Sequence, residues 1–257
     1  MHCLSSIASD LVQDVSTNVN FASSLLRISS ALSGKPRIPA EHEDWNDEVW
    51  EDAKGLNAPA VQQLSCCNSP HLKHLTIHLI SHDVKACYYI SGNTWSRLET
   101  VSLSGVFLDE QSATALAACD WPGLKELVLN AWSVHAKAVS ILAQITWPHF
   151  KSLVFCSTLV HETIMASLVE IQHTVLEKLV LADCSVSAEG LAVLVKARWP
   201  LKELELSGHS YWNADGFARE YQELGKANWP NLRKLEASGV LAFDATCASY
   251  LTSASLP

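Results

Sequence analysis

A single period governs this chain: Trp95, Trp121, Trp147, Trp199 and Trp229 fall into one column, with Ser69 and His173 in two further slots of the same register. Pro70, Pro122, Pro148, Pro200 and Pro230 fill the next column, with Ser96 and Thr174 as the exceptions. Five of the nine tryptophans therefore share one structural role. After each slot comes the pattern L-x-x-L-x-L: Leu72/Leu75/Ile77, Leu98/Val101/Leu103, Leu124/Leu127/Leu129, Phe150/Leu153/Phe155, Leu176/Leu179/Leu181, Leu201/Leu204/Leu206 and Leu232/Leu235/Ala237. The middle members step by 26, 26, 26, 26, 25 and 31 residues. A fixed period of about 20–50 residues is the signature of stacked units, none of which closes a core alone.

Within each unit the last part of the motif alternates, which predicts a strand. Five residues before each Trp slot stands an apolar residue (Leu64, Ile90, Leu116, Leu142, Leu168, Leu194, Leu224), and three before that another (Val61, Cys87, Ala113, Val139, Met165, Leu191, Tyr221). That i, i+3 spacing predicts the buried stripe of a short helix, and Asn57, Asp83, Asp109 and Ser187 stand at the expected N-caps. Proline disfavours helix in the residue before it, so Trp-Pro is expected to end each helix and send the chain into extended structure. The indole is expected to be buried between units, where it covers about 150–250 Å².

On these motifs the chain resembles the leucine-rich repeat proteins, and its repeat is similar to that of the ribonuclease-inhibitor-like class. The resemblance spans about residues 56–253, seven units. It implies an α/β solenoid, a horseshoe with a parallel β-sheet on the concave face and helices on the convex face. One feature departs from the family: the Asn that follows the strand is replaced by Ile80, Val106, Trp132, Thr158, Cys184, His209 and Val240, of which Thr158 and Cys184 match common substitutes.

Residues 1–55 read as an N-terminal helical cap plus an acidic segment, "EHEDWNDEVWED", which carries seven carboxylates and two tryptophans. That segment is a solvated acidic loop, a degenerate first repeat around Val49, or a docking segment for a basic partner. Residues 56–257 read as the seven-repeat domain, and its C-terminal end stops where another strand should begin. Self-association through that end would cover the exposed core. The 31-residue step marks an insertion loop bearing Tyr211 and Trp212. Insertions in repeats map to loops that often bind.

A net charge of −9 without a Lys/Arg cluster argues against nucleic acid as partner. No stretch approaches the ~18–20 apolar residues of a membrane span. Eight scattered cysteines read as free thiols of a reduced, intracellular, cytoplasmic setting. No cofactor is expected.

Several motifs fail as catalytic sites. His71, His74, His78 and His82 would form a metal stripe on a helix, but as a strand their register puts His74 and His78 ~13 Å apart, too far to share zinc bonds of ~2.0–2.1 Å. Two metal alternatives stay open: His74 with groups from neighbouring strands, or Cys66/Cys67 with a nearby His. "HETIM" has Met165 where a zincin needs its second His, "GHSYW" lacks the second glycine of a nucleophile elbow, and the ten glycines form no phosphate loop.

The strand register turns His74/Thr76/His78, Thr100/Ser102/Ser104, Glu126/Val128/Asn130, Ser152/Val154/Cys156, Lys178/Val180/Ala182, Glu203/Glu205/Ser207 and Lys234/Glu236/Ser238 away from the leucines. In the family this is the usual binding face. Its central column holds three valines, Val128, Val154 and Val180, between polar ends. An apolar patch rimmed by polar groups marks an interaction site, although β-branched residues also simply favour strands. The expectation is a non-enzymatic scaffold that binds another protein through His74, Thr76, His78, Ser102, Glu126, Val128, Asn130, Val154, Lys178, Val180, Glu203, Glu205, Lys234 and Glu236. Two alternatives remain: a regulatory subunit, such as a ubiquitin-ligase substrate receptor or GTPase activator, and a metal-binding or enzymatic protein using the His-rich first strand.

Overall fold

The structure, a computed structural model, describes residues 49–56, 61, 71–79, 85–91, 95–156, 159–171, 176–208 and 217–238. In chain order the elements are β1 (Val49–Leu56), β2 (His74–Leu79), α1 (Lys85–Ser91), β3 (Thr100–Leu108), α2 (Glu110–Ala117), β4 (Glu126–Val134), α3 (Ala136–Ala143), β5 (Ser152–Cys156), β6 (Leu159–Val160), α4 (Glu162–Val169), β7 (Lys178–Ala182), β8 (Ser185–Val186), α5 (Ala188–Leu194), β9 (Glu203–Ser207), α6 (Phe217–Leu224) and β10 (Lys234–Ser238). Eight strands form one parallel sheet in the order β1-β2-β3-β4-β5-β7-β9-β10. Chain order and sheet order coincide, so each helix links neighbouring strands. Successive helices pack in the same order, α1 on α2 through to α5 on α6. These are alternating strand–helix units, each laid against the next.

The leucine columns explain why. Leu98, Val101 and Leu103, Leu124 and Leu129, and Leu176, Leu179 and Leu181 are fully buried, as are Leu116, Leu168, Leu191 and Leu194 of the helix stripe. Strand leucines and helix residues belong to one continuous core. At about 1.5–3 kcal/mol per fully buried large side chain, several such groups per unit offset the ordering of a unit too small to fold alone. A second apolar column runs through Leu108, Val134, Val160 and Val186, each buried just before a helix. Leu108 pairs with Val134, and Val160 with Val186. Its 26-residue recurrence was legible but hidden behind the longer leucine motif.

The Trp column is buried in all five members, but Trp-Pro does not end the helices as expected. The helices stop four or five residues earlier, at Ser91, Ala117, Ala143, Leu194 and Leu224. A tightened turn then follows, in which the N–H of Cys119, Ile145, Ala197 or Ala227 donates to the carbonyl three residues back. Trp-Pro instead opens a β-turn: the carbonyls of Trp121, Trp147 and Trp229 accept from Leu124, Phe150 and Leu232 at 3.1, 3.2 and 3.1 Å. Proline, with φ preset, suits the second position of such a turn. Trp95 makes the same turn, to Leu98, with Ser96 in place of proline.

Of the expected N-caps, Asp109 and Ser187 are found. Asp109 accepts from the Ser112 N–H at 2.8 Å while Ser112 Oγ accepts from the Asp109 N–H at 2.9 Å, a reciprocal capping box. Ser187 accepts from the Gly190 N–H. Burial works to raise the Asp109 pKa, but the Ser112 N–H and hydroxyl hold it below the ordinary carboxylate range. Asp109→Ala is therefore expected to cost about 0.5–2 kcal/mol in chemical denaturation. Asn57 and Asp83 lie outside the described residues. His135 and His161 occupy the caps of α3 and α4 without a side-chain cap bond.

The six junctions from β2 to β10 carry the same backbone device. One carbonyl accepts from two successive N–H groups of the next unit: Lys73 from Glu99 and Thr100, Glu99 from Lys125 and Glu126, Lys125 from Lys151 and Ser152, Lys151 from Glu177 and Lys178, Glu177 from Lys202 and Glu203, and Lys202 from Arg233 and Lys234.

β1 extends the sheet into the acidic segment. It pairs Trp50, not Val49, with Leu75, and its register shifts twice along the strand.

Candidate functional site

Sheet register fixes the site. Thr76, Ser102, Val128, Val154, Val180, Glu205 and Glu236 stand in one cross-strand row, each paired with the next. Beside it runs the row His74, Thr100, Glu126, Ser152, Lys178, Glu203, Lys234. On the other side His78, Ser104, Asn130, Cys156 and Ala182 align. Because their strand neighbours Leu127, Leu129, Leu153 and Phe155 are buried, these rows occupy the face turned away from the helices. The residues expected on one surface are thus brought together, except Tyr211 and Trp212, which lie outside the described residues.

The valine stripe needs one correction. Val128 and Val154 are half-buried, but Val180 is only 6% exposed. It stands in register beside the longer side chain of Glu205, and at a strand spacing of about 4.8 Å such a neighbour shields it. Val180 belongs to the floor of the face, and the accessible apolar patch is Val128 with Val154.

Charges on the face are mostly paired. Lys178 lies 3.8 Å from Glu203, and Lys234 lies 2.9 Å from Glu236, whose carboxylate raises the lysine pKa. Glu126 accepts from Ser152 Oγ at 2.7 Å. The Cys156 thiol is raised by burial, then by Asp183 and Glu205, which disfavours thiolate there. Burial also pushes Cys87 up to about 12 and Cys119 higher still. At both positions burial disfavours the thiolate. Among the described residues, Cys87, Cys119 and Cys156 form no disulfide.

Sequence reasoning overlooked a charge column at the start of the strands. Lys73, Glu99, Lys125, Lys151, Glu177, Lys202 and Arg233 follow the first apolar residue of each motif. Lys125 pairs with Glu99 at 2.6 Å, and Glu177 is held between Lys151 at 3.3 Å and Lys202 at 2.8 Å. Hydrogen bonds from Lys125 to Glu99, and from Lys202 and then Lys151 to Glu177, lower both carboxyl pKa values. Exposed pairs of this kind contribute little stability, typically below about 1 kcal/mol each, but opposite charges in adjacent units favour the observed register.

The turn after the strands also corrects the register read from sequence. Trp132, expected in the Asn slot, is 69% exposed, and Ala131 is the buried partner of Val106. The register shifts at Gly105 in β3 and again at Trp132 in β4, so one extra residue in each strand restores pairing by Phe107 and Ser133. Cys184 does occupy its slot: it is buried, and its thiol donates to the Phe155 and Ala182 carbonyls at 3.5 and 3.3 Å. Ile80, Thr158, His209 and Val240 lie outside the described residues.

His74 and His78 share the sheet face, four residues apart along one strand. Among the described residues no group of three or more His, Cys, Asp or Glu gathers to hold a metal ion; Cys66, Cys67 and His82 lie outside them. A cleft of about 450 Å³ opens on a different surface, between the Trp121-Pro122 and Trp147-Pro148 turns. Its indoles stack on each other at 6.3 Å and 19°, so this cleft belongs to the stacking of units. Among the described residues no helix is long and apolar enough to cross a membrane.

No protein-family profile matches this chain, and no curated protein is significantly similar to it in sequence.

Proposed function

We propose that the chain is a leucine-rich repeat solenoid of the ribonuclease-inhibitor-like kind, without catalytic activity of its own, that binds a partner protein on the sheet face. The observation that carries this reading is the cross-strand row from Thr76 to Glu236, which sets two accessible valines between hydroxyl and carboxylate ends. Side chains presented on a sheet are rigidly spaced, and a face of mixed apolar and polar character suits a protein surface better than a small molecule.

The test is quantitative affinity capture with the intact chain and with a Val128→Asp/Val154→Asp variant, after circular dichroism has shown that both fold alike. Val180 is left in place because it is buried. Partner recovery is expected to fall about tenfold or more, since buried aliphatic contacts at an interface centre carry over 1 kcal/mol each. Equal recovery would reject the sheet face as the binding surface.

A further inference from the structure

The charge balance of the sheet face specifies what kind of segment fits it. Lys178 is taken by Glu203, and Lys234 by Glu236. Two carboxylates are left without an ion pair among the described residues. Glu126 bonds only the neutral hydroxyl of Ser152, and Glu205, in the central row between Val180 and Glu236, makes no ion pair although its charge adds to the rise in the Lys234 pKa. They flank the valine stripe on opposite sides: Glu126 on β4, two residues before Val128, and Glu205 on β9, beyond Val180. β4 and β9 are three strand steps apart in the sheet. At ~4.8 Å per strand and ~3.3 Å per residue, the two positions lie about 16 Å apart on the diagonal.

We propose that this face binds an extended, basic-apolar-basic segment of a partner protein: Lys or Arg at positions i and i+4 with a small apolar residue at i+2. The assignment rests on the sheet-face reading above. Side chains at i, i+2 and i+4 of an extended segment point the same way and span about 13 Å. Long basic side chains reach the remaining distance to Glu126 and Glu205, while the i+2 residue, midway along that diagonal between β5 and β7, settles on Val154. The two half-buried carboxylates and Val154 then meet their complements together, and a partner with acids at these positions is repelled.

A displayed library of seven randomised residues, selected against the full chain at low salt, tests this directly. Enrichment of two basic residues four apart around a small apolar one is expected. The selected peptides, synthesised, should lose affinity about fivefold for each of Glu126→Gln and Glu205→Gln. Gln keeps an acceptor for Ser152, so these variants read charge and not folding, and matching circular dichroism spectra verify it. Glu205→Lys should redirect selection toward an acid at the corresponding position. If binders ignore both Gln variants yet are lost with Val128→Asp/Val154→Asp, the charge assignment is wrong and the face reading stands. Binders that ignore every one of these variants would overturn both, and selection that yields no binder would overturn the basic-apolar-basic assignment.

Discussion

Replacing Trp121 with alanine is expected to remove about 3–5 kcal/mol from the unfolding free energy measured in denaturant. The indole is 1% exposed and stacks on Trp147 of the next unit, whose ring in turn meets Phe150 at 5.2 Å. The site has little freedom to collapse around the void. Backbone bonds fix its turn to Leu124 on one side, and the strand junctions Glu99–Lys125 and Lys125–Lys151 fix the units on the other. Trp121→Phe is the informative control. The Trp121 indole N–H has no acceptor among the described residues, so phenylalanine forfeits packing alone and should cost far less than alanine. Trp199, whose N–H donates to the Ile171 carbonyl at 3.0 Å, would lose a bond as well. A Trp121→Ala cost below about 1 kcal/mol would mean that the Trp column does not lie between units. Against the 5–15 kcal/mol typical of a whole domain, the expected loss is a large fraction.

Gly105→Val is the second large effect. Gly105 has φ +78°, the left-handed region in which an L side chain costs about 1–2 kcal/mol, and β-branching raises that cost. A Cβ there would also run into the Leu79 carbonyl oxygen of the preceding unit, so strand β2 or β3 has to shift. The combined penalty is expected to exceed about 3 kcal/mol, read as a drop in unfolding midpoint. Gly190 supplies the contrast. It lies in the first turn of α5, where a Cβ would meet only ordinary contacts at 3.4 Å and beyond. Gly190→Ala is expected to be neutral or stabilising by up to about 1 kcal/mol.

These two sites also mark the boundary of what the sequence disclosed. Leu98, Val101 and Leu103 recur in every unit because burial is a bulk requirement repeated at fixed spacing, and the outward rows followed from strand alternation alone. Helix ends did not follow, because the tightened turn that precedes Trp121 uses backbone bonds with no residue signature. The compensating shifts at Gly105 and Trp132 were hidden for a related reason: counting a fixed step from the leucines assumes that no residue bulges out. Shielding of Val180 depends on its neighbour across the sheet, Glu205, a relation that appears only once adjacent units are in register. The charge column from Lys73 to Arg233 was visible in the sequence, but its members stand about 26 residues apart and mix both signs, so it formed no basic or acidic block to draw notice.

Deleting residues 126–151 tests the stacking of units most directly. The cut removes 26 residues (151 − 126 + 1) and joins Lys125 to Ser152, which occupies the same slot as Glu126. If units pile up independently of their number, the shortened chain keeps its circular dichroism per residue and one cooperative thermal transition, at a somewhat lower midpoint. Deleting only residues 126–138, half a unit, should abolish that transition. A full-unit deletion that unfolds the chain as completely as the half-unit deletion would contradict the repeat architecture and every surface assignment drawn from it.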